Sequence, residues 1–235
     1  MLTIGIETST NVASIALMVE GAMRAEMTLA RENVRHAQML VPELRQLLQT
    51  HGYSLKACER VAVSMGPGSF TGLRIGLVFA KTLAYITKCQ LVPVDTLQAI
   101  AANAPADVDS MFAVVDAQRG DLYVAPFSRR DNGEWRRTGD VRIVAVKNWV
   151  TELALDDVVS GPGLHRYQEL IAAACRVLPE EAWIPTAGTV ARLGSTLTPL
   201  ESFEDLAALE PFYLRKSAAE ENWALKHGAS KHGEE

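Results

Sequence analysis

No run of this chain is apolar for long enough to span a bilayer, and its first residues, MLTIGIETST, carry no basic patch leading into a hydrophobic core. The protein is therefore expected to be neither membrane-anchored nor exported. Cysteine is scarce: Cys58, Cys89 and Cys175 are odd in number, far apart, and lack the close paired spacings of zinc sites or disulfide frameworks, which points to a reducing cytoplasm. Positive charge is in deficit, with 23 Lys and Arg against 28 Asp and Glu and a net charge of −5. Free-standing nucleic-acid binding usually rests on a basic footprint, so any contact with RNA would be shared with a partner. Several catalytic signatures are missing as well. No Gly-Lys-Ser/Thr completes a Walker A loop, no pair of zinc ligands occurs, and no Gly-x-Ser-x-Gly elbow is found. What remains is 235 residues, 48% hydrophobic and 22% charged, an ordinary globular composition sufficient for one large or two small domains.

The most informative stretch is VAVSMGPGSFTGLRIG at residues 61–76. Residues 61–63 form a short β-branched run bounded by Gly and Pro, which predicts a buried strand. Gly66-Pro67-Gly68 then makes a tight loop with little side-chain bulk. Ser69 or Thr71 is placed to cap a helix over about residues 72–87, leaving helix amides facing the loop. Such a turn reads either as an anion seat or as a strand-to-helix connection that binds nothing. Along the helix Gly72, Gly76, Ala80 and Ala84 recur every four residues, placing small residues on one face. With Leu73, Leu77, Phe79, Leu83 and Ile86 around them, the helix looks apolar on more faces than one sheet can bury, which predicts a second contact with another helix or chain.

Taken in order, residues 2–6, 12–19 and 23–29 read as a β-meander, with Glu7 closing the first strand before the hydroxyl-rich turn Thr8-Ser9-Thr10. An acid beside such a turn suits a metal-bound phosphate, or is simply a polar hairpin turn. Residues 32–52 carry apolar positions at helical spacing, with Pro42 expected to kink or divide the helix and the lone His36 suited to capping or packing. A strand at 91–94, a helix from Asp95-Thr96 and a linker at 103–109 follow, so a boundary is predicted near 105: an amino-terminal lobe, 1–105, and a carboxy-terminal lobe, 106–235. The second half repeats the opening, with an apolar strand ending at Asp116, a polar turn and a strand at 122–127. Ser160-Gly161-Pro162-Gly163 echoes the earlier loop. This faint duplication predicts two lobes with a cleft between them, Glu7 and Asp116 holding corresponding positions. Asn132-Gly133 marks a hairpin whose arginines, Arg129, Arg130, Arg136, Arg137 and Arg142, surround Trp135. It reads as a solvated charged hairpin or as a contact for RNA. Helices are predicted at 164–178 and 190–197, a terminal element at 210–215 packing back, and a frayed tail after Trp223.

The run Gly66-Pro67-Gly68-Ser69-Phe70-Thr71-Gly72-Leu73-Arg74-Ile75-Gly76, with Ile6-Glu7-Thr8-Ser9-Thr10 and Pro211-Phe212-Tyr213-Leu214-Arg215, closely resembles the bacterial TsaB (YeaZ) family, over essentially the whole chain. The resemblance implies an α/β, two-lobed actin-like/sugar-kinase/Hsp70 ATPase fold built from duplicated RNase H-like lobes. It also implies a role in making threonylcarbamoyladenosine next to the anticodon of tRNAs that read codons starting with A. In the paralogue TsaD a metal held by His-x-x-x-His serves the transfer. Aligned on Val94, those histidines fall on Thr96 and Ile100, neither a strong transition-metal ligand. The resemblance thus implies no catalytic residue and no metal here, but a scaffold that activates TsaD, with TsaE joining through the complex and tRNA met only there. ATP-binding members of the fold usually carry aspartate where Glu7 stands, so the expectation is at most weak ATP or ADP binding with magnesium. Its residues would be Glu7, Thr8, Ser9, Gly66, Gly68, Ser69 and Asp116, and a weak stand-alone ATPase is the alternative reading. The family pairs through two helices of the first lobe, with itself or with TsaD. That implies an interface of His36, Leu40, Leu44, Leu47, Gly72, Leu73, Gly76, Leu77, Ala80 and Ala84, at which homodimer and TsaD complex compete.

Overall fold

The computed structural model describes residues 1–29 and 36–215, except the side chains of residues 36–38 and 203. The chain opens with a meander, β1 (Leu2–Glu7), β2 (Ser14–Val19) and β3 (Ala22–Thr28), then α1 (His36–Thr50), β4 (Cys58–Ser64), α2 (Phe70–Thr87), β5 (Gln90–Val94) and α3 (Thr96–Ala101). A second series follows: β6 (Ser110–Gln118), β7 (Asp121–Arg129), β8 (Trp135–Arg137), β9 (Arg142–Ala145), α4 (Val146–Trp149), β10 (Val158–Ser160), α5 (Leu164–Ala172) and β11 (Arg176–Val177). The helices α6 (Ala187–Thr196) and α7 (Phe203–Ala208) complete the described chain.

The first sheet has the order β3-β2-β1-β4-β5, with β1, β4 and β5 parallel and the meander antiparallel. The second has the order β11-β10-β6-β7-β8, again with three parallel strands, and β9 joins the outer edge of β7. The two sheets therefore share one plan, and the duplication read from the strand–acid–turn–strand pattern is a duplication of topology. In both halves a Gly-Pro-Gly loop leaves the strand beside the central one, and its first glycine holds φ at +102° in Gly66 and +135° in Gly161, values open to glycine but strained for other residues.

Alternation along the buried strands decides which helices cover which face. Val61 and Val63 of β4 point to one side, where Leu40, Leu44, Leu47 and Leu48 of α1 and Leu77, Ala80, Leu83 and Ala84 of α2 pack. Ala62 points to the other, with Val92, Val94 and Val190 of α6. Helix α6 comes from the second half of the chain, yet it lies on the first sheet, close enough that a Cβ on Gly5 would sit 2.1 Å from the Ala187 carbonyl and one on Gly194 would sit 2.3 Å from the Ala62 Cβ. In exchange α3, from the first half, sets Leu97, Ile100 and Ala101 into the core of the second sheet beside Met111, Val115 and Phe127.

Three local expectations change. Pro42 sits inside an unbroken α1, neither dividing it nor ending it. The helix predicted over 164–178 stops at Ala172 and gives way to strand β11. The helix predicted at 190–197 begins earlier, at Ala187, because the Thr186 hydroxyl accepts the Thr189 amide as its cap. The tail after Trp223, residues 32–35 and the His36 side chain lie outside the described residues.

Candidate functional site

A cleft of about 680 Å³ opens where the two sheets meet, walled on one side by Ser9–Val12 and Pro67–Phe70 and on the other by Val115–Arg119, His165 and Arg166. Residues Phe212 to Arg215 line it as well. Both walls stand at corresponding ends of corresponding strands, but their chemistry differs.

On the first wall the amides of Ser9, Gly66 and Ser69 are already engaged, while Glu7 Oε2 and the Thr8 hydroxyl are buried without a partner. Glu7 is completely buried, and its Oε1 accepts from both the amide and the hydroxyl of Ser9, each at 2.5 Å. Burial outweighs these bonds and pushes the carboxyl up to about 7. The Gly66 amide donates to the Thr96 hydroxyl at 3.0 Å, the Ser69 amide to the Ser9 carbonyl at 2.7 Å, the Gly72 amide to the Ser69 hydroxyl at 3.2 Å and the Leu73 amide to the Ser69 carbonyl at 2.9 Å. Gly68 approaches so closely that a Cβ there would lie 2.3 Å from the Ser9 carbonyl. The two turns that read from sequence as a phosphate cradle are bonded to each other. A phosphate needs free amides and a magnesium ion needs an accessible carboxylate, and the engaged amides of Ser9, Gly66 and Ser69 and the sealed Glu7 do not offer them as they stand.

Asp116, the counterpart of Glu7, remains at the cleft. It accepts from the Gln118 amide at 2.8 Å, in a turn where Gln118 and Arg119 both hold positive φ, and the Arg166 guanidinium lies 3.7 Å away. Arg119, Arg166 and Arg215 stand on the lining with Asp116 its one acid, Arg215 being paired with Asp121 behind it. The structure thus joins Glu7, Ser9, Gly68 and Ser69 in one contact, sets Thr8 and Gly66 beside it, and leaves Asp116 on the opposite wall of the cleft.

The terminal segment, read from the sequence as an element at 210–215 packing back, touches both walls and so fastens them together. The Phe212 amide donates to the Met65 carbonyl at 2.7 Å, and the Tyr213 ring stacks at 4.8 Å on Phe70 while its hydroxyl accepts from Arg74 Nε at 2.9 Å. Arg74 also lies over the Phe70 ring at 4.0 Å. Two residues on, Arg215 donates to the Ala117 carbonyl at 2.8 Å and to Asp121 at 2.6 Å, in the second half. The Gly-Pro-Gly-Ser-Phe-Thr-Gly-Leu-Arg run and the Pro-Phe-Tyr-Leu-Arg run are two parts of one clasp. The signal for it was the recurrence of both runs in the same family resemblance.

The small-residue stripe of α2 also turns inward. A Cβ on Gly72 would lie 2.0 Å from the Thr8 carbonyl, and one on Gly76 would lie 2.2 Å from the Thr8 hydroxyl, which has no hydrogen-bond partner. Leu73, Leu77, Ala80 and Ala84, with Leu40, Leu44 and Leu47 of α1, are buried in the chain's own core. These nine residues lie inside the chain and present no surface of their own, contrary to the interface expected at them. The outward sides of the same helices instead expose Val41 (62%), Val78 (63%), Tyr85 (58%) and Ile86 (64%).

The positions aligned with the paired histidines are interior: Thr96 and Ile100 are fully buried. Among the described residues no cluster of three His, Cys, Asp or Glu side chains assembles a metal site, and no helix is long and apolar enough to cross a membrane. In the arginine hairpin Trp135 is buried under the Arg129 guanidinium at 4.7 Å, and Arg129 donates to the carbonyls of Ala104, Pro105 and Val108. Arg137 pairs with Asp95 and Arg142 with Glu152. A ring so enclosed offers no face on which a base can stack.

A protein-family model described as "TsaD: tRNA N6-adenosine threonylcarbamoyltransferase" matches residues 30–155, more than half of the chain. The "tRNA threonylcarbamoyladenosine biosynthesis protein TsaB" of Escherichia coli K12 is 28% identical over 225 residues, covering 93% of this chain and 96% of its own. The protein of the same name from Bacillus subtilis 168 is 29% identical over 230 residues, covering 95% and 98%. A solved structure of YeaZ from Pseudomonas aeruginosa superposes with a TM-score of 0.76 at 25% identity, covering 91% of this chain and 99% of that one.

Proposed function

The chain belongs to the TsaB (YeaZ) family, and we propose that it is the non-catalytic activating subunit of the complex that makes threonylcarbamoyladenosine in tRNA. A role in that biosynthesis follows from the family; the division of labour within the complex is the proposal. The transfer to the adenosine beside the anticodon would be made by TsaD, with TsaE as a third member and tRNA held only by the whole assembly.

The observation that carries this reading is the exposed apolar set Val41, Val78, Tyr85 and Ile86 on two neighbouring helices that pack side by side on one face of the first sheet. Large apolar side chains gathered on adjoining helices are costly in water and mark a place where another chain packs. The engaged amides around Ser9 and Ser69, and the burial of Thr96 and Ile100, support a support role rather than chemistry in this chain. A homodimer through the same helices would compete with TsaD, since both would cover one surface.

The test is reconstituted tRNA threonylcarbamoylation with purified TsaD, TsaE and the adenylate-forming TsaC. Modification is expected only when this protein and TsaD are both present. Val78→Arg with Ile86→Arg should abolish both the stimulation and co-elution with TsaD, while thermal unfolding of the isolated chain stays nearly unchanged. Modification without TsaD, rapid ATP turnover by this chain alone, or full stimulation by the double variant would each overturn the reading.

A further inference from the structure

Two thiols that are remote in sequence meet at the end of the first sheet away from the cleft. Cys58 is the first residue of β4 and Cys89 immediately precedes β5, and these strands are neighbours with Arg60 opposite Gln90. Strict alternation would turn Cys58 to the face opposite Val61. A register shift intervenes: Leu2 pairs with Cys58 but Thr3 with Arg60, so one residue is inserted, and Cys58 joins Val61, Val63 and Leu91 on the helical face. Cys89 is brought to that face by Lys88, which ends α2 with φ of +62°. Both cysteines then pack on the same apolar cluster.

The two side chains face each other from neighbouring strands closely enough to influence each other's ionisation, and the Cys58 thiol also contacts the Arg60 carbonyl at 3.3 Å. Their environments are unequal. Cys58 is 4% exposed, whereas Cys89 is half-buried and so open to small solutes. Interaction with Cys58 favours a thiolate on Cys89, with help from the Thr87 hydroxyl, while that same interaction and burial hold Cys58 as the thiol. A reactive, accessible sulfur backed by a second, protonated one is the arrangement of an attacking and a resolving cysteine.

We propose that Cys58 and Cys89 form a two-thiol redox site that hydroperoxides oxidise to an intrachain disulfide. The Cys89 thiolate attacks one oxygen of the peroxide; the S–O bond forms, the O–O bond breaks, and the leaving hydroxide takes up a proton. Cys58 then loses its proton and attacks the Cys89 sulfur, forming the S–S bond as the S–O bond breaks and hydroxide leaves to become water. Two thiols and one hydrogen peroxide give one disulfide and two waters. The new bond would tie the start of β4 to the exit of α2, the helix whose last turns expose Tyr85 and Ile86.

The experiment titrates the reduced, full-length chain with hydrogen peroxide, counts thiols and maps the linked peptides by mass spectrometry. Two of the three thiols should disappear together, with a Cys58–Cys89 peptide that dithiothreitol reverses. Cys175→Ser should leave that linkage in place, and Cys58→Ala should stop the reaction at a Cys89 sulfenic acid that dimedone captures. A product linked between chains, or oxidation of Cys175 at the same rate as Cys89 with no Cys58–Cys89 peptide, would overturn the assignment. Should the Cys58 variant fail to fold, the peptide map of the unaltered chain decides alone.

Discussion

The two halves of this chain are built on one plan and put it to different ends. Each has a central strand leading to an acid, a polar turn, and a Gly-Pro-Gly loop leading to a helix. In the first half the turn and the loop close on each other: Glu7 is sealed, Ser9 and Ser69 are bonded, and Thr8 is wedged against Gly72 and Gly76. The capped helix that follows, α2, runs from Phe70 to Thr87. In the second half Asp116 stays at the cleft, and the helix after the loop, α5, runs only from Leu164 to Ala172, lacks a side-chain cap, and has non-helical geometry at Tyr167. A repeated topology therefore fixes where a site can lie, while close packing decides whether it remains open.

The largest expected effect exploits one glycine from each half, Gly72 within α2 and Gly163 before α5. Gly72→Ala drives a methyl group into the Thr8 carbonyl, which belongs to backbone and has little room to move, and should cost ~3 kcal/mol or more despite the better helix propensity of alanine. At Gly163 the nearest atom to an added Cβ is a terminal methyl of Leu122 at 2.7 Å, and a side chain can shift, so Gly163→Ala should cost about 1 kcal/mol. Urea unfolding of the two variants side by side measures the difference, and equal losses would remove the contrast.

Glu7 gives the next effect, read through pH. Its folded-state value, about 7, is raised above the ordinary 4.5, so the native state binds the proton more tightly than the unfolded chain does. The contribution of Glu7 to stability is then fully present below about 4.5 and is lost as pH rises towards 7, by up to about 3 kcal/mol, because only the unfolded chain ionises freely in that window. Glu7→Gln keeps an oxygen for Ser9 and removes the charge. It should flatten the stability profile between these values and make the variant more stable than the unaltered chain above pH 7.

Smallest is the clasp. Tyr213→Phe retains the stacking on Phe70 and removes only the bond from Arg74, at a cost of about 1 kcal/mol, whereas Tyr213→Ala removes both and should cost about 2 kcal/mol. If both variants unfold with the unaltered chain, the terminal segment does not hold the two halves together.

Much of this was legible beforehand because it is written in short-range patterns. The β-branched run at 61–63, the repeat of strand, acid and turn, the Asn-Gly hairpin and the Ser69 cap all depend on neighbours within a few residues. For the α2 stripe, the sequence shows one face of small residues but not the side to which that face turns. Spacing shows that Gly72, Gly76, Ala80 and Ala84 align; that they align against Thr8 and the core is a long-range fact. The same limit hides the approach of Cys58 to Cys89, which depends on a bulge, and the engagement of the Ser9 and Ser69 groups, which favours the non-binding one of the two readings open to that turn.

The exchange of α3 and α6 carries a consequence for how the protein can be cut and how it denatures. Each sheet borrows one of its covers from the opposite half, so a fragment ending near residue 105 would leave Ala62, Val92 and Val94 bare and would itself carry an orphan helix with Leu97 and Ile100 in water. Neither half is a self-sufficient folding unit, and the whole chain should denature as one cooperative block, without a stage at which one half stands alone.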